Sequence, residues 1–268
     1  MHVDPEVGMV EEKLQIGIAM AQNSEAYLEF MLWTIARTAT MPMKFILGVN
    51  EGADRSNVER IVAGHDADIF DAVVTGGYGS MNHGACLDLI FARMSPGLGM
   101  MIDCDVAFLQ HGWDIAMKDC IMGSTMIVGA EYDGAKYLGF PNVICAMFDV
   151  AAIRLAGVSF MTEGMLTLHA DDCEIYGYGA AQCPRRIILD TGSELPRKLK
   201  AVEMNGAPMP MFRAGHPLAR FMTDGIRGEE YQLHGTPICT HLGRSFTRRF
   251  GVDPDAIAWE KRVREHLA

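Results

Sequence analysis

The sequence predicts an α/β fold in which a mostly parallel central sheet is covered by helices on both faces. Short apolar runs alternate with segments of helical spacing in the first half, and the runs are almost uninterrupted, as is typical of strands buried on both faces. Polar residues collect where these runs end, and ligands of such sheets bind beyond the carboxyl ends of the strands. The predicted strands are Leu14–Ala21, Met43–Val49, Ala67–Val74 and Gly97–Val106.

Helices that would cover this sheet lie between the strands. Ser24 is a suitable helix N-cap, and Leu28, Met31, Leu32 and Ile35 follow it at helical spacing. Further helices are predicted at Arg55–Gly64, His83–Met94, Val150–Ala156 and Asp253–Leu267, and further strands at Thr125–Glu131 and Asn142–Phe148. Residues 160–213 are expected to be rich in loops. Because no internal repeat or clear linker interrupts residues 1–268, we expect a single domain.

Charge and composition exclude several classes of protein. The chain has 23 basic and 34 acidic side chains and a net charge of −11, which opposes non-specific binding to nucleic acid or anionic lipid. Hydrophobic residues make up 49 % and charged residues 21 %, which excludes a disordered chain. No apolar run is long enough to span a bilayer, and Met1–Glu12 lacks the layout of a secretory signal. The seven cysteines, without a C-x-x-C pair, indicate reduced thiols, so we expect a cytoplasmic protein.

The motif Asp103-Cys104-Asp105 follows the apolar run Met100–Ile102 at the end of the fourth predicted strand. Two carboxylates at positions i and i+2 share one side of an extended segment, so both can reach one hard cation. Mg²⁺ or Mn²⁺ suits such oxygen ligands and commonly bridges to a substrate phosphate. The alternative is a turn that ends a strand and carries two solvated aspartates.

Three segments around this motif resemble the core of family-2-like GT-A glycosyltransferases. They are His83–Ile90, Gly99–Leu109 and Gly112–Asp114. Those enzymes have a helix before the fourth strand, a D-x-D motif at its end, and often a Gly-Trp turn after it. The resemblance implies a Rossmann-like, three-layer GT-A fold, with a nucleotide-sugar-binding half at residues 14–115 and an acceptor-binding half with the C-terminal tail at residues 116–268.

The resemblance also implies roles for individual residues. Asp105 corresponds to the aspartate that binds the metal, and Asp103 to the one that contacts the ribose and the metal shell, with Cys104 between them. Glu51 stands where the family commonly has an aspartate that contacts the base or ribose, and Asp54 is the alternative for this role. The remaining positions implied for the nucleotide-sugar are Ala19, Gln22, Asn23 and, beside the sugar, Asp88.

His241 is the expected third metal ligand. It follows the strand-like segment Pro237–Cys239 and precedes Leu242-Gly243, which resembles the late histidine motif that completes the metal site of many GT-A enzymes. Imidazole is a suitable ligand for Mn²⁺. Arg244 beside it could pair with the diphosphate, since a guanidinium matches phosphate oxygens; the alternative is a solvated arginine.

An inverting transferase needs a carboxylate that takes the proton of the acceptor hydroxyl, whereas a retaining enzyme needs no such base. Asp190 is the first candidate, because it ends an apolar run and precedes a helix expected to open at Ser193. Glu131, at the end of another predicted strand, is the second candidate. The sequence also offers Asp133, Asp171 and Asp172.

These observations together predict a glycosyltransferase that depends on Mn²⁺ or Mg²⁺ and takes its sugar from a nucleotide-diphospho-sugar, with a UDP-sugar expected. The acceptor is open among a glycan, a lipid-linked sugar, a protein and a nucleic acid. One alternative is nucleotidyl transfer to a sugar phosphate, although Met20–Ser24 lacks the expected glycines and arginine. Another is a protein that binds a nucleotide-sugar without catalysis. The run Ile188–Ser193 resembles the active-site turn of aspartic peptidases, but that turn belongs to an all-β fold.

Overall fold

The computed structural model describes residues 12–74, 79–133, 138–162, 165–167, 186–188, 190–223, 225–243 and 249–268. In chain order, its elements are β1 (Leu14–Met20), α1 (Glu25–Thr38), β2 (Met43–Val49), α2 (Arg55–Val62), β3 (Ala67–Asp71), α3 (Gly79–Arg93), β4 (Leu98–Ile102), β5 (Val106–Phe108), α4 (Trp113–Lys118), β6 (Thr125–Asp133), β7 (Leu138–Asp149), α5 (Val150–Leu155), β8 (Met165–Thr167), β9 (Arg186–Ile188), α6 (Leu195–Ala201), β10 (Asn205–Met209), β11 (Met211–Arg213), β12 (Glu229–Leu233), β13 (Thr236–His241) and α7 (Pro254–His266).

The central sheet has the strand order β10-β6-β7-β4-β1-β2-β3. Strands β1 to β4 are parallel to one another where they pair, and β7 enters the sheet antiparallel to both β4 and β6. Strand β10 pairs in parallel with β6. The prediction of a mixed α/β fold with a mostly parallel central sheet is therefore confirmed, and the carboxyl ends of β1, β2, β4 and β6 lie along one edge of the sheet.

Successive residues of β1 face opposite sides of the sheet, and helices cover both sides. Ile16 and Ile18 are fully buried in the core cluster that also contains the apolar side chains of α1 and α7. Gly17 faces the opposite side, where a Cβ atom would lie 2.5 Å from Ile90 Cγ2 of α3 and 2.7 Å from Met101 Sδ. The missing side chain at Gly17 thus lets α3 lie close against the sheet.

A second, antiparallel sheet has the strand order β11-β12-β13-β5. Strands β12 and β13 are joined by His234 and Gly235, whose φ angles of 51° and 78° are those that a tight two-residue hairpin turn requires. In this sheet, His241 pairs with Glu229 on one side and with Val106 on the other. The second sheet therefore carries His241 to the segment that follows β4.

Several sequence-based bounds were wrong in detail. The fourth predicted strand, Gly97–Val106, is two strands, because the chain turns at residues 103–105 and Val106 begins β5 of the other sheet. The third predicted strand ends at Asp71, short of Val74. Residues 160–213, expected to be rich in loops, contain β8, β9, α6, β10 and β11. The prediction of a single domain stays a prediction. Within the described ranges, none of the helices combines the length and the apolar character that crossing a bilayer requires.

Candidate functional site

The D-x-D turn lies between the two sheets. The backbone N–H of Asp103 donates a hydrogen bond to Ile144 O of β7, over 2.9 Å, and Leu242 N donates to Asp105 O over 3.1 Å. The pairing of His241 with Val106 brings the end of β13 to the same place. Backbone bonds to β7 and to the residue after β13 thus set the position of both aspartates.

Asp103, Asp105 and His241 each offer one ligand atom, and these three atoms lie within 4.8 Å of one another. His241 Nε2 is 3.4 Å from Asp105 Oδ1, and both side chains are buried, with exposed fractions of 10 % and 3 %. Asp103 is 27 % exposed, so solvent reaches the group on its side. Two carboxylates and an imidazole are a donor set that fits Mg²⁺ or Mn²⁺, and the nitrogen ligand is more usual for Mn²⁺.

Glu229 also belongs to this group, although it was not predicted from the sequence. Its Oε2 is 3.4 Å from His241 Nδ1 and accepts a hydrogen bond from the Tyr231 hydroxyl over 3.0 Å. Arg213 donates to Oε1 over 3.2 Å. Burial alone would raise the pKa of Glu229, but the hydrogen bond and charge of His241, with Tyr231 and Arg213, lower it to about 2. Glu229 is therefore an ionised carboxylate behind the imidazole.

The charges of the site shift the pKa values of its other members. Burial alone would lower the pKa of His241, but Asp105 and Glu229 raise it well above its usual value. Burial is the main cause that raises the pKa of Asp103 to about 6, with His83 opposing it and the charges of Asp105 and Asp190 adding to it. Positive charge is thus favoured at the centre of the group.

His83, in α3, lies between the D-x-D turn and Thr191, the residue that follows Asp190. His83 Nε2 is 3.5 Å from Asp103 Oδ1, and its Nδ1 is 3.4 Å from Thr191 Oγ1. Asp190 Oδ1 accepts hydrogen bonds from Ser80 Oγ over 2.6 Å and from Thr191 N over 3.0 Å. The structure thus brings Asp190 close to Asp103, while the helix expected to open at Ser193 begins at Leu195. No role for His83 was predicted from the sequence.

Other carboxylates proposed as the base lie along the same edge or outside the described residues. Glu131 is half-buried near the carboxyl end of β6, beside Ala130, which pairs with Asn142 of β7. Strand β6 was predicted to end at Glu131, but it continues to Asp133. Asp171 and Asp172 lie outside the described residues, and so does Arg244, the arginine expected to bind the diphosphate. The role of Glu131 stays a prediction.

The residues predicted to hold the nucleoside lie where β1 and β2 end. Asn50 N donates to Met20 O over 3.0 Å, so the turns that carry Gln22 and Glu51 are neighbours. Asn23 has a φ of 66°, and Ala19 lies within β1 and ahead of this edge. Ser24 Oγ donates to Ala21 O and does not cap α1, contrary to expectation.

Asp54 and Asp88 have structural partners. Asp54 Oδ1 accepts hydrogen bonds from Ser56 Oγ over 2.7 Å and from Asn57 N over 3.2 Å, and thereby caps α2. Asp88 accepts one bond from Ser159 Oγ and one from Phe160 N, each over 2.6 Å. Asp88 is the fifth residue after His83, which places it about 7.5 Å further along α3 and on a different face of the helix.

The contacts of Asp54 and Asp88 with a nucleotide-sugar stay predictions. The same holds for Cys104, whose side chain is buried in the core beneath the D-x-D turn.

Comparisons with known proteins identify the fold. No protein-family model matches this chain, and no curated protein sequence matches it. Its structure is similar to that of the mannosyltransferase PcManGT from Pyrobaculum calidifontis in complex with GDP-Man and Mn²⁺, with a TM-score of 0.52 and 13 % identity over 75 % of this chain and 56 % of that one.

S. aureus TarS 1-349 in complex with UDP-GlcNAc gives a TM-score of 0.40 at 12 % identity, over 62 % of this chain and 53 % of that one. The galactosyltransferase LgtC in complex with donor and acceptor sugar analogs gives a TM-score of 0.38 at 16 % identity, over 51 % of this chain and 58 % of that one. This chain thus spans little more than half the length of each structure. The likeness to PcManGT concerns the fold alone. The chain has the GT-A glycosyltransferase fold, as its sequence resemblance predicted.

Proposed function

We propose that this protein is a glycosyltransferase that moves a sugar from a nucleotide-diphospho-sugar to an acceptor hydroxyl and requires Mn²⁺ or Mg²⁺. One observation carries the proposal: Asp103, Asp105 and His241 hold three oxygen and nitrogen ligand atoms within 4.8 Å of one another, next to the carboxyl end of β4 in a GT-A fold. PcManGT, which has a similar fold, was solved with GDP-Man and Mn²⁺.

Asp103, Asp105 and His241 are the residues that would hold the cation. A bound divalent cation offsets the negative charge that builds up on the leaving nucleoside diphosphate. The chain contributes a preorganised set of ligands, since Asp105 and His241 are buried and the Asp105 backbone is bound by Leu242 N. Asp103 is partly exposed, so a diphosphate would approach from its side.

Gln22, Asn23 and Glu51 are proposed to contact the nucleoside, because they lie in the adjacent turns after β1 and β2. This position is the crevice in which parallel α/β sheets bind nucleotides. We propose UDP as the nucleoside diphosphate of the donor, on the sequence resemblance. Asp54 is the weaker candidate, since its carboxylate already caps α2.

Asp190 is the proposed base if the reaction inverts the configuration of the sugar. Hydrogen bonds from Ser80 Oγ and Thr191 N hold its carboxylate in one orientation, and its charge acts on Asp103. A base must lie within hydrogen-bond reach of the acceptor hydroxyl, and a carboxylate beside the D-x-D turn meets this requirement better than a distant one. Glu131 is the second candidate, on the same edge of the sheet.

The test is release of nucleoside diphosphate by the purified full chain. UDP-sugars and GDP-sugars are incubated with the protein and either Mn²⁺ or EDTA, with and without simple glycan acceptors. We expect release of UDP with Mn²⁺ and none with EDTA. Asp105→Asn should lower the rate by more than about 100-fold, since even the loss of outer-shell partners costs roughly 10–100-fold. Asp66→Asn removes an exposed ion pair with Lys13 and serves as the matched control, with unchanged turnover.

The outcomes separate this proposal from its alternatives. Equal turnover in EDTA, or full activity of Asp105→Asn, would contradict the metal-dependent mechanism. Pyrophosphate release from a nucleoside triphosphate and a sugar phosphate would indicate nucleotidyl transfer. Binding of a nucleotide-sugar without any turnover, under all acceptors tried, would favour a protein that binds without catalysis.

A further inference from the structure

We propose that Glu229 is a positioning residue for the cation site: its carboxylate holds the His241 ring so that Nε2 faces Asp105 and is offered to the cation. This inference rests on the metal site of the proposed function. It concerns a residue that neither the D-x-D motif nor the late histidine motif contains, and that the sequence analysis did not single out.

The register of the second sheet places the two side chains together. Glu229 and His241 are directly paired residues of β12 and β13, and side chains of such a pair lie on the same face of the sheet. Glu229 Oε2 is 3.4 Å from His241 Nδ1, while Asp105 Oδ1 is 3.4 Å from His241 Nε2. The imidazole therefore lies between two carboxylates, with one ring nitrogen facing each.

Hydrogen-bond chemistry then decides which nitrogen is available. A carboxylate accepts hydrogen bonds and donates none, so Nδ1 meets Glu229 as the N–H donor. In the metal-free protein Nε2 faces the Asp105 carboxylate in the same way. When Asp105 binds a cation instead, Nε2 loses its proton and can give its lone pair to that cation, while Nδ1 keeps its hydrogen bond to Glu229. In known metal sites, a histidine ligand commonly donates its other N–H to a carboxylate, which fixes the tautomer and the orientation of the ring.

Glu229 is itself held in this orientation. The Tyr231 hydroxyl donates to Oε2 over 3.0 Å, and the Arg213 guanidinium donates to Oε1 over 3.2 Å from one nitrogen and 3.4 Å from another. The side chain of Glu229 is only 17 % exposed. These two partners keep both carboxylate oxygens in place, so that turning the His241 ring would cost the contact with Glu229.

The neighbouring glutamate shows that this arrangement is specific to Glu229. Glu230 is fully buried on the opposite face of β12, where its carboxylate accepts hydrogen bonds from three consecutive backbone N–H groups. The donors are Arg220, Phe221 and Met222. Glu230 thus holds a backbone segment in place, whereas Glu229 binds side chains at the cation site.

The test measures Mn²⁺ binding in the absence of any nucleotide-sugar, by electron paramagnetic resonance of free Mn²⁺. Wild type, Glu229→Gln and Glu229→Ala are compared, with Glu59→Gln, which loses only an exposed ion pair with Arg55, as the matched control. We expect the dissociation constant to rise by about 10- to 100-fold for Glu229→Ala, less for Glu229→Gln, and not at all for Glu59→Gln. The melting temperatures of the metal-free variants report folding separately, and Glu229→Gln keeps the shape of the side chain if the alanine variant unfolds.

A second readout distinguishes positioning from a general loss of structure. Heteronuclear NMR of isotope-labelled protein loaded with cadmium, a diamagnetic substitute, shows which ring nitrogen binds the metal, and His241→Asn assigns the signal. We expect Nε2 to bind in wild type and Glu229→Ala to lose this selectivity.

Wild-type protein that binds no Mn²⁺, Glu229 variants that bind like wild type, or an unchanged ligating nitrogen in Glu229→Ala would each overturn the inference. A Glu229-dependent Mn²⁺ site without nucleoside diphosphate release would instead refute the proposed function and leave this inference standing.

Discussion

Replacing Asp88 by alanine tests whether this carboxylate serves the fold or the sugar. The resemblance implies a place beside the donor sugar, whereas the structure shows Asp88 accepting hydrogen bonds from Ser159 Oγ and Phe160 N, each over 2.6 Å. These bonds tie α3 to the segment that follows α5. We expect Asp88→Ala to lower stability and to leave the KM for the donor within about twofold of wild type, because a fold-level defect does not change contacts made only by the bound sugar.

The magnitude follows from the two bonds. A hydrogen bond to a charged group contributes about 1.5–3 kcal/mol, and removal of the carboxylate also leaves Phe160 N without its acceptor. Because Asp88 is only partly buried, the lower end applies, and the two bonds together contribute about 3 kcal/mol to the free energy of unfolding. At roughly 2–4 °C per kcal/mol for a chain of this size, Tm should fall by about 6–12 °C.

Thermal and urea unfolding give the stability, and release of nucleoside diphosphate gives the donor KM. Ser159→Ala is the matched control: it removes one of the two bonds to Asp88, together with the longer bond that Ser159 Oγ accepts from Met161 N over 3.2 Å, and leaves the bond from Phe160 N in place. It should therefore cost less stability than Asp88→Ala. The reasoning is refuted if Asp88→Ala melts like wild type while its donor KM rises about tenfold or more. That result would place Asp88 at the sugar, as the resemblance implied.

Three further perturbations test the packing and the site. Gly17→Ala places a methyl group 2.5 Å from Ile90 Cγ2, so overpacking should lower the free energy of unfolding, measured by urea titration, by about 1–3 kcal/mol. An unchanged urea midpoint would mean that α3 moves away from the sheet without cost. Trp259→Phe removes the buried hydrogen bond from Nε1 to Thr240 Oγ1 and also leaves a cavity in the core, where Trp259 is fully buried, so it should cost more than about 1 kcal/mol by the same measurement. Equal stability would contradict this. Mn²⁺ affinity should fall as the pH drops to 6 and below, because protons compete with the cation for two of its ligands. These are His241, whose pKa Asp105 and Glu229 raise in spite of burial, and Asp103, whose pKa burial raises to about 6. Titrations that give equal affinity above and below pH 6 would contradict this.

The parallel part of the sheet could be predicted because its strands are short apolar runs followed by turn residues. The bounds of β2 are those predicted, and β1 is one residue shorter than predicted. The third and fourth predicted strands were too long, since apolar composition does not mark the residue at which a strand leaves its sheet. Val106 is as buried as Ile102, yet it pairs in the other sheet.

The candidate site was predicted in part. Asp103, Asp105 and His241 come together, because the end of β4 and the end of β13 meet. Glu229 was missed because the hairpin turn at His234-Gly235 is only a partial signal. Regular pairing outward from this turn would set Thr240 opposite Glu229, and the register shift between Tyr231 and Gln232 brings His241 there instead. No such signal exists for His83, which reaches Asp103 only because α3 packs closely on the sheet.

The ladder between β5 and β13 has a consequence for how this protein matures. Both aspartates precede β5, whereas the imidazole comes from β13, which follows much later in the chain and is joined to them by backbone pairing. A nascent chain in which β13 has not yet been synthesised contains Asp103 and Asp105 but lacks His241. Synthesis must therefore pass β13 before the full donor set exists, and a nonsense mutation ahead of Thr236 would yield a chain that has lost its third ligand.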